Sequence, residues 1–424
     1  MSITPNHPDP AAKLRDLSFM VWGLLVVGFV LPFSIVILNG HRPPDADFAG
    51  FYSLGRILNE YPPHELYNYD LQKRICEEVH PRKGEYGPLP YPPFVGLAFR
   101  PVTVMPYWAA YSLWVIASIL LYGAGLHIVI ARFFPVELWA RSLLFALAYS
   151  YFPFIGYTAG NGQLAAIGFF AIALALREDQ DDHPFRTGLA LCLCLYKPTI
   201  LVLIVPMLLV TRRFKALAGF ALGTSFIVAV TAGFEGPAIW LDFFRTIGSF
   251  GSSSVGVQKH SFLPLPKYVD LTSFSSNVYG GRSPLGFGLI LCFAAVALGA
   301  LVTFWWKAPA RGRPYADFLW ATTLTWTLLI NVYVPIYDSI LVVLSILITA
   351  RTLLAWPGAS LRRWFVVTWI LVLICSWFSV PLSRVSSVQC MTLLFASLGI
   401  LQLVMLGKLS PPARTASSAL PDQS

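Results

Sequence analysis

The chain has 424 residues, 56% of them hydrophobic and only 12% charged, against roughly 25% charged in soluble domains. That balance excludes an ordinary soluble globular protein and points to a polytopic membrane protein. Thirty Lys and Arg against 21 Asp and Glu give a net charge of +9; with no basic aromatic stripe in a polar stretch, the excess reads as membrane-orienting charge, not a nucleic-acid footprint.

A span needs about 20 mostly apolar residues. The first runs over 18–38, behind Lys13 and Arg15. It is too long for a signal-peptide core and no small-x-small site ends it, so it reads as a retained anchor with residues 1–17 in the cytoplasm. Residues 39–106 form a polar outer loop. Apolar stretches follow at 107–131, 142–157, 163–176, 216–234, 285–305, 318–334, 339–355, 364–381 and 388–407, with a second long outer loop at 235–284. The 18–407 core thus precedes a Ser/Pro/Ala-rich tail, 408–424, expected to be disordered and cytoplasmic.

The segment 187–211 has basic, cytoplasmic-looking flanks on both sides, and one span cannot return to its own side. Lys197-Pro198 stands in its middle, and proline breaks a helix at or just before itself. Two arms, 187–196 and 199–211, are therefore expected to form a hairpin tipped by Lys197, inside the bundle where broken helices are tolerated around a cavity. Counting both arms gives twelve passes and puts both termini on one side. Seventeen of the 30 basic residues then fall in cytoplasmic segments, mostly short ones, where positive charge sets orientation; 11 of the 12 outer ones lie in the two long loops, where it does not.

Candidate chemistry gathers at the outer ends. Phe51, Leu54 and Leu58 follow Phe48 at helical spacing, which predicts an amphipathic interfacial helix. Asp45 and Asp47 stand at its start, where either can be a helix cap or a carboxylate stabilised for other work. Tyr91-Pro92-Pro93 precedes a span with Trp108 and Trp114, and reads either as a rigid lead-in or as part of a site. Gly160-Asn161-Gly162-Gln163 and the group Asn331, Tyr333, Tyr337 and Asp338 cap outer helix ends, Asp338 being an N-cap or a site residue. Lys197 either snorkels to headgroups or serves as a point-charge ligand for phosphate; Arg56 and Arg42 could extend that positive patch. Five of the six Cys fall in apolar segments, leaving Cys76 in an outer loop, and no disulfide is expected. Nucleotide-binding, dinucleotide-binding and zinc-hydrolase motifs are absent from the sequence.

In this order, Asp47-Phe48, Tyr52, Gly55-Arg56, Tyr91-Pro92-Pro93, Gly162-Gln163, Lys197-Pro198 and Tyr337-Asp338 resemble glycosyltransferase family 87, the polytopic polyprenol-phosphate-mannose-dependent mannosyltransferases. The resemblance covers about 18–407. It implies an all-α GT-C architecture with about 11–12 transmembrane passes and outer juxtamembrane helices around an outward-facing active site, in a bacterial plasma membrane. It further implies Asp47 as catalytic base, Lys197 and Arg56 near the donor phosphate, and Tyr52, Tyr91, Asn161, Gln163, Tyr333, Tyr337 and Asp338 around the substrates. The implied partners are the bilayer, a polyprenyl-phosphate sugar donor and a glycolipid or glycan acceptor, with no metal and no cofactor. One departure stands out: many members carry His where this chain has Tyr333. A single base suits the chemistry, because a lipid phosphate leaves without a general acid and nearby cations stabilise its growing charge. A lipid or glycan flippase, or a related enzyme using another lipid-linked sugar, is the competing reading; a long aromatic outer loop with a reactive-looking acid fits a flippase poorly.

Overall fold

The computed structural model describes residues 10–31, 34, 47–81, 86–134, 136–252, 265–281, 283–332, 334–356 and 358–409. Among these the regular structure is helical. In lipid every backbone polar group must be hydrogen-bonded internally, and a helix does so within its own segment.

In chain order, α1 (Pro10–Leu25) runs on through a π-helical turn, Val26–Val30. It starts inside the stretch assigned to the cytoplasm, whereas 32, 33 and 35–38 of the expected span lie outside the described residues. The outer loop 39–106 is largely helical: α2 (Phe48–Glu60), α3 (Tyr69–Val79) and α4 (Pro93–Phe99). Asn68 caps α3 by accepting from Leu71 N, and Pro93 supplies the preset φ of a first helical position. Then come α5 (Tyr107–Phe133), α6 (Leu138–Tyr149) with a π-helical continuation Pro153–Ala159, and α7 (Ala165–Gln180). The segment α8 (Pro184–Leu191) ends in 3-10 turns either side of Lys197 and resumes as α9 (Ile204–Val210). The remainder is α10 (Phe214–Glu235), α11 (Ala238–Ser252), α12 (Leu271–Val278), α13 (Pro284–Lys307), α14 (Arg313–Leu329), α15 (Leu341–Leu354), α16 (Ala359–Ser386) and α17 (Cys390–Lys408).

Six of the described helices are long and apolar enough to cross a membrane, or seven if α6 and its continuation, bent by 56°, count as one. The chain is an all-α polytopic membrane protein. The other stretches expected to be passes are shorter helices: α7 has 16 residues and α14 has 17, and the arms Pro184–Tyr196 and Pro198–Val210 are shorter still.

The bundle has two chemically different ends. At one, which we call the basic end, Arg132 bonds Gln180 at 3.0 Å and Asp181 at 2.6 Å, and buried Asp179 accepts from Arg213, Arg313 and the Trp320 indole. These arginines belong to the connections expected to be cytoplasmic. At the other end, Trp114 of α5 donates to Gly162 O and Arg100 pairs with Glu235 at 2.7 Å. Helix α7 joins the two ends, Gln163 just before it and Asp179 near its close, a rise of roughly 24 Å.

This polarity fixes the broken segment. Asp179 before it and Arg213 after it are paired, so both arms meet the basic end. Asn331, past the far end of α14, donates to Thr199 O at 2.8 Å, so the Lys197–Thr199 break sits at the other. The segment enters and leaves on one side, as its basic flanks require. Small residues let it pack: a Cβ on Gly188 would lie 1.8 Å from Ala216 O, and one on Gly219 would lie 2.0 Å from Phe185 O, so α8 and α10 cross backbone to backbone.

Helix α2 departs from expectation. Instead of lying half-exposed at an interface, it is buried along Phe48–Gly55, Ile57 and Leu58. Helices α3, α4 and the turn Arg100–Val104 wrap it, closely enough that a Cβ on Gly55 would meet the Phe99 carbonyl carbon at 2.6 Å.

Candidate functional site

Asp47, not Asp45, occupies the N-cap position of α2, yet its side chain makes no capping bond. Its carboxylate is turned to another segment: Gln163 Nε2 donates to Asp47 Oδ2 at 2.7 Å. Asp45 and Arg42 lie outside the described residues. The turn carrying Gln163 is clamped onto the start of α2. Phe48 N donates to Asn161 O at 3.0 Å, and Gly162 holds φ +70°, with space for no side chain because a Cβ would sit 2.7 Å from Phe48 Cβ. Asn161 thus contributes its carbonyl, and Gln163, 5% exposed, contributes its amide. The Phe48 ring anchors the turn among Phe99, Tyr107 and Tyr111, with centroids 5.7–5.8 Å away.

Tyr91 reaches the same place from the stretch before α4. Tyr67 donates to its carbonyl at 2.9 Å, and Phe51 meets its ring edge-on at 5.0 Å. Burial raises the Tyr91 phenol above its ordinary pKa, and the Asp338 and Asp47 carboxylates push the same way. At neutral pH Tyr91 is therefore a neutral hydrogen-bonding group and not a base. Tyr337 is half-buried next to Asp338 in sequence, and the Lys197 ammonium faces its ring.

Lys197 enters from the break between the arms. With the chain extended at φ −144°, its ammonium pairs with Asp338 Oδ2 and lies 4.9 Å from the Tyr337 ring centroid. The pair is shielded, the side chains being 18% and 3% exposed. Of the two sequence readings of Lys197, free snorkelling does not describe this residue. Asp338 is likewise no N-cap: it sits inside the 3-10 turn Ile336–Ile340. Its second oxygen, Oδ1, is buried without a hydrogen-bond partner among the described residues.

Two predicted residues stay apart from this cluster. Arg56 bonds Glu60 at 2.7 Å and Glu78 at 3.1 Å, which holds its pKa up, and it lies nine residues beyond Asp47, roughly 13 Å along α2. Tyr52 donates its hydroxyl to Met105 O at 2.9 Å and packs edge-on to Tyr107, so it ties α2 to the turn before α5. Tyr333 lies outside the described residues.

Sequence reasoning passed over Asp270. Fully buried, it caps α12 by accepting from Ser273 N, and its Oδ2 accepts from Val334 N, both at 2.8 Å. Val269 N donates to Val334 O at 2.9 Å. The loop leading to Tyr337-Asp338 is thereby fastened to the second outer loop. The spacing Asp270-x-x-Ser273 was the available signal, a common N-cap pattern. Burial raises the Asp270 pKa, opposed by those hydrogen bonds. Among the described residues no group of three or more His, Cys, Asp or Glu is placed to hold a metal ion.

The arrangement combines a carboxylate not engaged by its own helix, an ammonium and phenols at one end of a membrane bundle. It suits proton removal from a hydroxyl beside a bound anion. The family model of glycosyltransferase family 87 matches residues 89–335, a span that holds Tyr91, Gln163 and Lys197 and stops two residues short of Tyr337. No curated protein and no solved structure matches the chain.

Proposed function

The chain belongs to glycosyltransferase family 87, and from that membership we propose that it is an inverting, membrane-embedded transferase of GT-C type. It moves a hexose, mannose by family resemblance, from a polyprenyl phosphate to an acceptor hydroxyl at the outer face of a bacterial plasma membrane. The observation that carries the reading is the Asp47 carboxylate, held by Gln163 instead of its own helix, with the shielded Lys197–Asp338 pair at the same end of the bundle.

In this reading Asp47 takes the proton of the acceptor hydroxyl as its oxygen attacks the anomeric carbon from the face opposite the phosphate. The bond to the lipid phosphate breaks, and configuration inverts. The leaving phosphate needs no proton donor; Lys197 stabilises its charge with the ammonium protons not used on Asp338. Asp338 holds Lys197 in place, and the tyrosines orient the sugar. Arg56, committed to Glu60 and Glu78, would reach a phosphate only after leaving both, so Lys197 is the principal phosphate ligand. The outward orientation rests on the arginine-rich basic end facing the cytoplasm.

The test is incubation of membranes containing the protein with radiolabelled polyprenyl-phosphate mannose. Label appearing in lipid or glycan in a new glycosidic bond supports the reading. Translocation of intact donor without bond formation refutes it, and transfer only from a pentose-charged polyprenyl phosphate replaces mannose as the donor sugar.

A further inference from the structure

An apolar crevice of about 380 Å³ opens at the basic end, far from the Asp47 cluster. The start of α1, α6, the end of α15 and the start of α16 form its walls, with Leu14, Leu143, Leu347, Phe365 and Trp369 among its lining. Its one charged lining residue is Arg362. Arg132, Arg177, Arg213 and Arg313 at this end are engaged with Asp181, Glu178 or Asp179. Arg362, its neighbour Arg363 and Arg351 on α15 are exposed and make no ion pair among the described residues. Of the acids nearest in sequence to the walls, Asp16 is paired with Arg15, and Glu137 stands exposed before α6.

A deep apolar slot under unpaired guanidiniums is complementary to an amphiphile with an apolar chain and an anionic head. From Arg362 to Leu373, where a neighbouring apolar crevice begins, α16 rises roughly 16 Å, about half the hydrocarbon thickness. That depth suits a chain of one leaflet. Basic pockets between transmembrane helices on the cytoplasmic side take anionic lipid headgroups.

We propose that this crevice is a resident-lipid site: it holds an acyl chain of an anionic phospholipid from the leaflet at the basic end, with Arg362 and Arg363 on the headgroup phosphate. It is separate from the donor site and does not depend on the transferase reading. Bound there, the lipid fastens α1 and α6 to α15 and α16, between which no side chains fill the gap.

The full chain, reconstituted in nanodiscs of phosphatidylcholine with a minor fraction of phosphatidylglycerol, is released and weighed by native mass spectrometry. The expected result is one retained phosphatidylglycerol per chain. Arg362→Gln should lower retention about fivefold, the effect of one basic residue near an anionic surface, and Arg384→Gln, at the far end of α16, should leave it unchanged. Val366→Trp, at a position that lines the slot yet is 46% exposed, should abolish retention by filling it. Equal retention of the two lipids, retention indifferent to Arg362→Gln or Val366→Trp, or added polyprenyl phosphate displacing the phospholipid would each overturn the proposal.

Discussion

Lys197 and Asp338 show how far one residue's role depends on its partner. A lysine in an apolar segment is expensive without an anion, and here the anion is protein-borne. Removing one member of a shielded pair strands the other, at a cost of about 3–5 kcal/mol. Lys197→Met should therefore lose most transferase activity and also melt well below the parent. Lys197→Met combined with Asp338→Asn should recover much of the melting temperature, because no buried charge is left alone, while activity stays low. Thermal unfolding in detergent and label transfer in membranes measure the two effects; a double variant with parental turnover would remove Lys197 from the reaction. The tip lysine and the Tyr-Asp pair were legible in the sequence as separate oddities. Their pairing was not, since 141 positions separate them and no local pattern links a hairpin tip to the mouth of a distant helix. The partners of Arg56 were hidden for a related reason: sequence shows a cation near Asp47, but not that Glu78, from another helix, faces it.

At the level of elements, the broken segment was readable because Pro198 and the basic flanks are local facts, and topology follows from them. What holds it was less readable, although glycines marked the place. Gly188→Ala puts a methyl group where Ala216 O already lies, so α8 must move off α10; it should lower the melting temperature sharply, whereas Gly233→Ala, with nothing within 4 Å of its Cβ, should be neutral. Equal melting of the two variants would contradict the close crossing. Helix α2 was foreseen in position and register, but not as a buried element, because hydropathy periodicity cannot reveal which later segments fold over the polar side. The same limit hid Asp270. Asp270→Ala leaves the amides of Ser273 and Val334 without their acceptor, a loss of about 1–3 kcal/mol for each buried group. By loosening the loop that bears Tyr337 and Asp338, it should raise KM for the donor more than it lowers kcat. A variant with unchanged KM would confine Asp270 to capping α12.

Across the whole molecule, charge and chemistry divide between two ends, with arginines gathered at one and the carboxylate cluster at the other. If the basic end faces the cytoplasm, a periplasm-active reporter fused after Lys408 should be silent, and a strong signal there would invert the orientation. The central claim is that Asp47 is the base of a glycosyl transfer at the opposite end. Its most direct test is transfer from labelled polyprenyl-phosphate mannose by Asp47→Asn, with donor binding measured on the same preparation. Asn preserves shape and hydrogen bonding but cannot take the proton, so transfer should fall by about 10²–10⁴-fold with donor binding largely kept; parental transfer by Asp47→Asn would contradict the account.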